Sequence, residues 1–217
     1  MRSGFVAIVG KPNAGKSTII NAILEAKLSI VTEKAQTTRN SIKGIYNEDG
    51  YQIIFVDTPG IHKPNHQLGK TMNKEALSST KGVDAIVLVV DASKKFDDGD
   101  RFIEKNIAKD AKLFIVINKI DLVTLPQAQE IKKIYQEEYK DAEIIEMSAI
   151  QNFGIDILIE KIKKVMPEGP KYFDDDVFTD KDSSFFVSEV IREKLLKLLK
   201  DEVPHDLAVR VDNIKHK

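Results

Sequence analysis

The sequence predicts a three-layer α/β sandwich, with helices on both faces of a mostly parallel six-stranded sheet in which one strand is antiparallel. Short, fully apolar runs alternate with helical patterns along most of the chain, as strands buried on both faces require. Two strand patterns flank Asn47-Glu48-Asp49-Gly50, a hairpin turn signal that makes one of them antiparallel. A glycine-rich turn, Gly10 to Thr18 (GKPNAGKST), joins an apolar run directly to a helical pattern.

In chain order, Phe5-Val6-Ala7-Ile8-Val9 reads as a buried strand, and Ile19, Ile20, Ile23 and Leu24 then recur at helical spacing. Residues 28–39 are polar and aperiodic and read as a mobile loop. Residues 41–46 and 51–56 form the hairpin, and apolar runs at 85–90, 113–117 and 143–146 supply the remaining strands. Residues 154–165 form a helix with Ile155, Leu158, Ile159 and Ile162 on one face. A smaller α+β segment follows. In it Val187, Val190, Ile191, Leu195, Leu198 and Leu199 mark a helix ended before Pro204, and Leu207, Val209 and Val211 alternate as a strand.

Composition sets outer limits. The 217 residues hold one ample domain, or one domain and a piece of a second. The 42% hydrophobic content excludes global disorder. Absence of cysteine rules out disulfides and thiolate metal sites and suits a reducing cytosol. No signal peptide is visible and no apolar stretch reaches membrane-spanning length, so a cytoplasmic protein is expected. A net charge of −1 gives no global attraction to nucleic acid. Residues 167–182 (PEGPKYFDDDVFTDKD) carry six acids and two bases without an apolar period. They predict an acidic linker between a domain at 1–166 and a segment at 183–217.

The polar motifs fall at strand carboxyl ends, where sheets of this kind bind ligands. Gly10 to Thr18 fits G-x-x-x-x-G-K-[ST], the phosphate-binding loop, in its required strand–loop–helix setting. Gly10 and Gly15 let Lys11, Pro12, Asn13 and Ala14 wrap closely around a polyphosphate with the loop's N–H groups inward. Lys16 can reach the terminal phosphates, and the hydroxyl of Ser17, followed by Thr18, suits Mg²⁺. Asp57-Thr58-Pro59-Gly60 leaves a neighbouring strand; its aspartate can hold Mg²⁺ through water. The Gly60 N–H can capture a γ-phosphate, so this loop orders with triphosphate and relaxes after hydrolysis. Asn118-Lys119-Ile120-Asp121 is the most discriminating motif. The Asp121 carboxylate accepts only, which matches the adjacent N–H donors of guanine and not the edge of adenine. Asn118 can tie its loop to the phosphate loop, and the Lys119 stem can lie over the base. Ser148-Ala149-Ile150 ends the last strand, where a backbone N–H can meet the guanine carbonyl. Thr37 and Thr38 compete as a second hydroxyl ligand for Mg²⁺.

Together GKPNAGKST, Thr37-Thr38-Arg39, DTPG, NKID and Ser148-Ala149 resemble the translation-factor-related GTPases. Residues 60–72 (GIHKPNHQLGKTM) and the tail VSEVIREKLL with Glu202-Val203-Pro204-His205 are similar to the Era family among them. The resemblance implies a switch that hydrolyses GTP to GDP and phosphate with Mg²⁺, Thr38 being the magnesium threonine and Thr37 the spare. It matches Asn13 to the asparagine that helps hold K⁺ in cation-activated relatives. Ile61 stands where other GTPases place a water-orienting glutamine, so slow intrinsic hydrolysis follows, with K⁺ as the compensating charge. The resemblance further implies binding of 16S rRNA in assembly of the 30S subunit by a monomer that touches the inner membrane peripherally. The tail resembles the opening of an RNA-binding KH domain, but the G-x-x-G loop that clamps RNA is absent, so 183–217 is an incomplete RNA site.

Other readings compete. A relative acting in tRNA modification lacks the second-loop and tail likeness. A P-loop kinase would have no use for Asn118 to Asp121, and a non-hydrolysing binding module would leave GTP intact. Lys94-Lys95 and Lys132-Lys133 read as solvated surface, His62 and His66 as loop residues before metal ligands, and the leucine-rich stretch at 189–200 as a packing helix before a membrane-surface one.

Overall fold

The computed structural model describes residues 1–31, 41–62, 67–198 and 207–214. The chain runs β1 (Arg2–Gly10), α1 (Lys16–Ile23), β2 (Ile42–Glu48), β3 (Tyr51–Asp57), α2 (Gln67–Ser78), β4 (Ala85–Asp91), α3 (Asp98–Asn106), β5 (Lys112–Asn118), α4 (Leu125–Glu138), β6 (Glu143–Glu146), α5 (Ile155–Val165) and α6 (Ser183–Leu198). The six strands form one sheet in the order β2-β3-β1-β4-β5-β6. Every pairing is parallel except β2 with β3, as the hairpin signal predicts.

Alternation along the strands builds two cores. Val6 and Ile8 of β1 face Ile19, Ile20 and Ile23 of α1 and Leu158, Ile159 and Ile162 of α5. Ala7 and Val9 point the other way, towards Ala76 of α2, Ile103 of α3 and Tyr135 of α4. Chain order reverses beside β1, whose neighbours are β3 and β4. Crossovers therefore leave in opposite directions, and a crevice opens at the carboxyl end of β1, where the glycine-rich loop begins.

Three details depart from the sequence-based expectations. Leu28, Ser29 and Ile30, expected in a mobile loop, are buried. The Asn21 side chain accepts from the N–H groups of Leu28 and Ser29, each at 2.9 Å, and donates to the Ser29 carbonyl at 2.7 Å. One amide thus does the work of a turn, which an aperiodic sequence conceals. Residues 207–211 form no strand: half-buried and exposed positions alternate, but no ladder pairs with them among the described residues. Alternation specifies a face, whereas a strand also needs a partner edge. In α6 the predicted apolar face is not the buried one. Arg192, Glu193 and Leu196 are buried, while Val187, Val190, Ile191 and Leu198 are exposed.

The acidic stretch at 167–182 crosses the amino ends of β1 and β3 and then reaches the edge strand β2. Ser3 Oγ donates to the Pro170 carbonyl at 2.6 Å, and Gln52 Oε1 accepts from the N–H groups of Tyr172 and Phe173 at 2.7 and 3.0 Å. Further on, the Ile45 N–H meets the Phe178 carbonyl at 3.0 Å.

Candidate nucleotide site

The loop between β1 and α1 is shaped by close approaches that only glycine permits. Gly10 has φ 152°, and a Cβ there would lie 2.3 Å from the Val89 carbonyl oxygen. Gly15, at the N-terminus of α1, has φ 101°, and a Cβ would lie 2.2 Å from the Asn118 amide nitrogen. The second glycine therefore also lets the end of β5 touch the loop. Asn118 Nδ2 donates to the Ala14 carbonyl at 2.9 Å, and its Oδ1 accepts from the Ala149 N–H at 3.0 Å. This buried amide joins the GKPNAGKST, NKID and Ser148-Ala149 motifs through two bonds.

Lys16 is buried at the start of α1 and donates to the carbonyls of Gly10 and Lys11 at 3.2 and 3.0 Å. Burial pulls its ammonium down to about 8, against the opposing charge of Asp57. Asp57 ends β3, fully buried, and burial pushes its carboxyl above the ordinary range despite Lys16. Its Oδ2 accepts from Ser17 Oγ at 2.9 Å, while Oδ1 has no hydrogen-bond partner among the described residues. A buried carboxylate oxygen without a partner, beside a hydroxyl, is a donor set that suits a hard divalent cation. Thr58 pins the next turn by donating from Oγ1 to the Ile8 carbonyl at 2.7 Å. Pro59 and Gly60 are buried behind it, and a Cβ on Gly60 would lie 2.8 Å from Pro12 Cα, so this turn rests on the phosphate loop. The Ile61 N–H donates to the Gly10 carbonyl at 3.0 Å, and its side chain enters the core beneath α2 and α3.

Past β5, Lys119 adopts φ 65°, and its ammonium reaches the Asn13 carbonyl at 2.6 Å and Asp91 Oδ2 at 2.7 Å. Burial alone would raise the Asp91 carboxyl; Lys119 and Ser93 outweigh it and hold it below the usual range. Ile120 docks on the next strand's exit through its N–H to the Met147 carbonyl, 3.2 Å. Asp121 is exposed, with Oδ1 held by the Ser148 hydroxyl at 2.5 Å. The N–H groups of Ser148 and Ala149 are engaged by the Phe153 carbonyl and Asn118 respectively, and Ile150 lies exposed beside them. Asn13, with φ 61°, lies exposed at the loop's tip, and Thr18 is half-buried in α1. Thr37 and Thr38 lie outside the described residues, as does His66.

Sequence reasoning missed three partners here: Asp91, which holds Lys119; the Ser148 side chain, which holds Asp121; and the acidic start of α3, which holds Lys11. The last had a visible signal, since Asp97 and Asp100 open a helical pattern at capping-box spacing. Among the described residues no cluster of histidines and acids has metal-ligand geometry.

The strand order and the glycine-rich loop between β1 and α1 are those of a P-loop GTPase. Residues 5–119 match the family described as 50S ribosome-binding GTPase. The chain is 49% identical over 215 residues to GTPase Era of Clostridium beijerinckii, spanning 99% of this chain and 72% of that one. It is 46% identical over 217 residues to GTPase Era of a Thermoanaerobacter species, again with 72% of the relative covered. Among solved structures, Era in complex with MgGDPNP and nucleotides 1506–1542 of 16S ribosomal RNA superposes with a TM-score of 0.94 at 37% identity, over 99% of this chain and 74% of that one. A variant of Aquifex aeolicus Era bound to GDP and AlF4⁻ gives 0.93 at 37% identity, with the same coverage. The chain belongs to the Era family of GTPases.

Proposed function

We propose that this GTPase uses Lys16 and the loop amides at Gly10 to Thr18 to stabilise the β- and γ-phosphates of GTP, with Ser17, Thr38 and Asp57 holding Mg²⁺. The observation that carries this reading is the fully buried Oδ1 of Asp57, which has no hydrogen-bond partner among the described residues, while the other carboxylate oxygen already meets Ser17. Mg²⁺ there would offset charge on the phosphate oxygens. Asn118, Lys119 and Ile120 position Asp121, the selector of guanine. Thr58, Pro59 and Gly60 respond to the γ-phosphate, and Ser148, Ala149 and Ile150 close the base side. Ile61, buried in the core, cannot orient water; K⁺ held with the help of Asn13 supplies the missing charge instead. Catalysis by such parts is positional and electrostatic.

The relative solved with a 16S rRNA fragment supports small-subunit rRNA as the partner whose binding follows nucleotide state, in 30S assembly by a monomer. Residues 1–166 act as the nucleotide domain, 167–182 as its acidic connection, and 183–217 as part of a KH-like RNA module. Peripheral contact with the inner membrane rests on family resemblance; no helix of the described residues is long and apolar enough to cross a membrane.

Phosphate release from GTP with no added acceptor, in K⁺ and in Na⁺, tests the central claim. Hydrolysis that is faster in K⁺ and abolished in Asp57→Ala is expected. Equal rates in both salts would remove the cation role of Asn13, and an unimpaired Asp57→Ala would remove the metal site.

A further inference from the structure

Lys11 belongs to the phosphate loop, yet its side chain leaves it. The ammonium lies 2.6 Å from Asp100 Oδ2 and 2.8 Å from Asp97 Oδ1. These carboxylates are the two halves of the capping box that opens α3. Asp97 accepts from the Gly99 N–H at 2.6 Å, and Asp100 from the Asp97 N–H at 2.9 Å. A capping box needs two acceptors but not two negative charges. With Asp100 only 5% exposed, the second charge is costly unless a cation sits against it. Burial alone would lower the Lys11 ammonium; Asp100 and Asp97 outweigh it and hold it above the ordinary lysine range. The slot is fitted to the lysine stem, since a Cβ on Gly99 would lie 3.1 Å from Lys11 Cε.

The backbone of the same residue faces the chemistry. The Lys11 carbonyl accepts the Lys16 ammonium at 3.0 Å and the Ala14 N–H at 3.4 Å. The loop's other limb is tied from the base side, through Lys119 to Asn13 and Asn118 to Ala14. The Lys11 side chain ties the loop to the start of α3.

We propose that Lys11 is a positioning residue for GTP hydrolysis: the capping box of α3 grips its side chain, and its carbonyl thereby fixes Lys16 against the phosphates. This rests on the reading of Lys16 as the phosphate-stabilising lysine. Displacing such a group by a fraction of an ångström costs rate more than affinity.

Single-turnover hydrolysis on the full chain, scored per GTP-loaded molecule, tests it. Lys11→Met should lose about tenfold in rate with little change in GTP affinity, and Lys11→Arg should recover most of that loss. The double variant Asp97→Asn, Asp100→Asn keeps both capping acceptors and removes two negative charges beside a polyphosphate. Electrostatics alone would make it faster or tighter; positioning predicts that it slows as Lys11→Met does. Combining all three changes should add no further loss, because one contact is removed. A Lys11→Met rate within about twofold of the parent, or losses that multiply in the triple variant, would overturn the proposal. If Lys11→Met does not fold, the double variant alone decides by the same rate. Lys16→Ala separates the two readings. An unimpaired Lys16→Ala removes the assignment of Lys16, whereas its loss without loss in Lys11→Met removes only the role of Lys11.

Discussion

Lys16 is where burial and charge conflict most directly. Its ammonium is held near 8 in the folded chain, against 10.5 for an ordinary lysine. Between those values the unfolded chain keeps a proton that the folded chain has lost, so this group's contribution to stability rises with pH across that window. Phosphates bound beside it would restore the charge. GDP binding at pH 8.5 should therefore take up a proton, and at pH 6.5 should not; calorimetry in buffers of different ionisation enthalpy measures this, and zero uptake at both pH values would contradict it. Lys16→Met should abolish the uptake. Asp121 is the second residue with a sharp expectation. Asp121→Asn should lose GTP affinity on the order of 10⁴-fold while gaining xanthosine triphosphate, whose changed edge suits an amide. Unchanged GTP affinity in competition binding would contradict the base contact. Both residues were legible in the sequence because their motifs demand one chemistry at one position. Asp91 was not, since a strand-end aspartate becomes meaningful only when Lys119 is seen to reach it across 2.7 Å.

At the scale of elements, α6 shows how a helix can be attached without burying its most apolar side. Phe185 and Phe186 pack on the core beside α1 and α5. Farther along, Glu193 is buried and meets Lys27 and Lys197, the latter at 3.1 Å. Burial alone would raise the Glu193 carboxyl, but Lys27 and Lys197 outweigh it and hold it below the usual range. Both lysines are more than half in water, so screening limits the ion pairs to about 1 kcal/mol or less. The aromatic anchor should matter more. Phe186→Ala should raise amide exchange throughout α6 by the equivalent of about 1–2 kcal/mol, and Glu193→Gln by less, with β1 and α1 unchanged in each. Equal effects, or exchange spreading into β1, would mean that α6 and the sheet open as one unit. A period-3.6 count could not have found this arrangement. Apolar residues surround α6 on several sides, and which side is covered depends on Lys27, more than 160 residues earlier in the chain.

For the whole molecule, ligand binding and stability are one equilibrium. GDP at a hundredfold excess over its Kd should raise the unfolding free energy by about 2.7 kcal/mol, measured by denaturant titration. Mg²⁺ should add to this in the parent chain and add nothing in Asp57→Ala; an equal increment in both would place the metal elsewhere. The sequence by itself determined the layered architecture, the six strands with their single antiparallel pairing, and the positions of the phosphate-loop, DTPG and NKID motifs. Each is written locally, as a period, a turn or a short string whose chemistry tolerates few substitutes. Tertiary structure alone decided what joins them: Asn118 bridging two loops, Asn21 burying the segment at 28–30, the acidic stretch crossing the amino ends of β1 and β3, and α3 gripping Lys11. Those contacts are made by common polar residues far apart in the chain. Their partners are fixed by the order in which β1, β3, β4 and β5 come together, and no local pattern encodes that order.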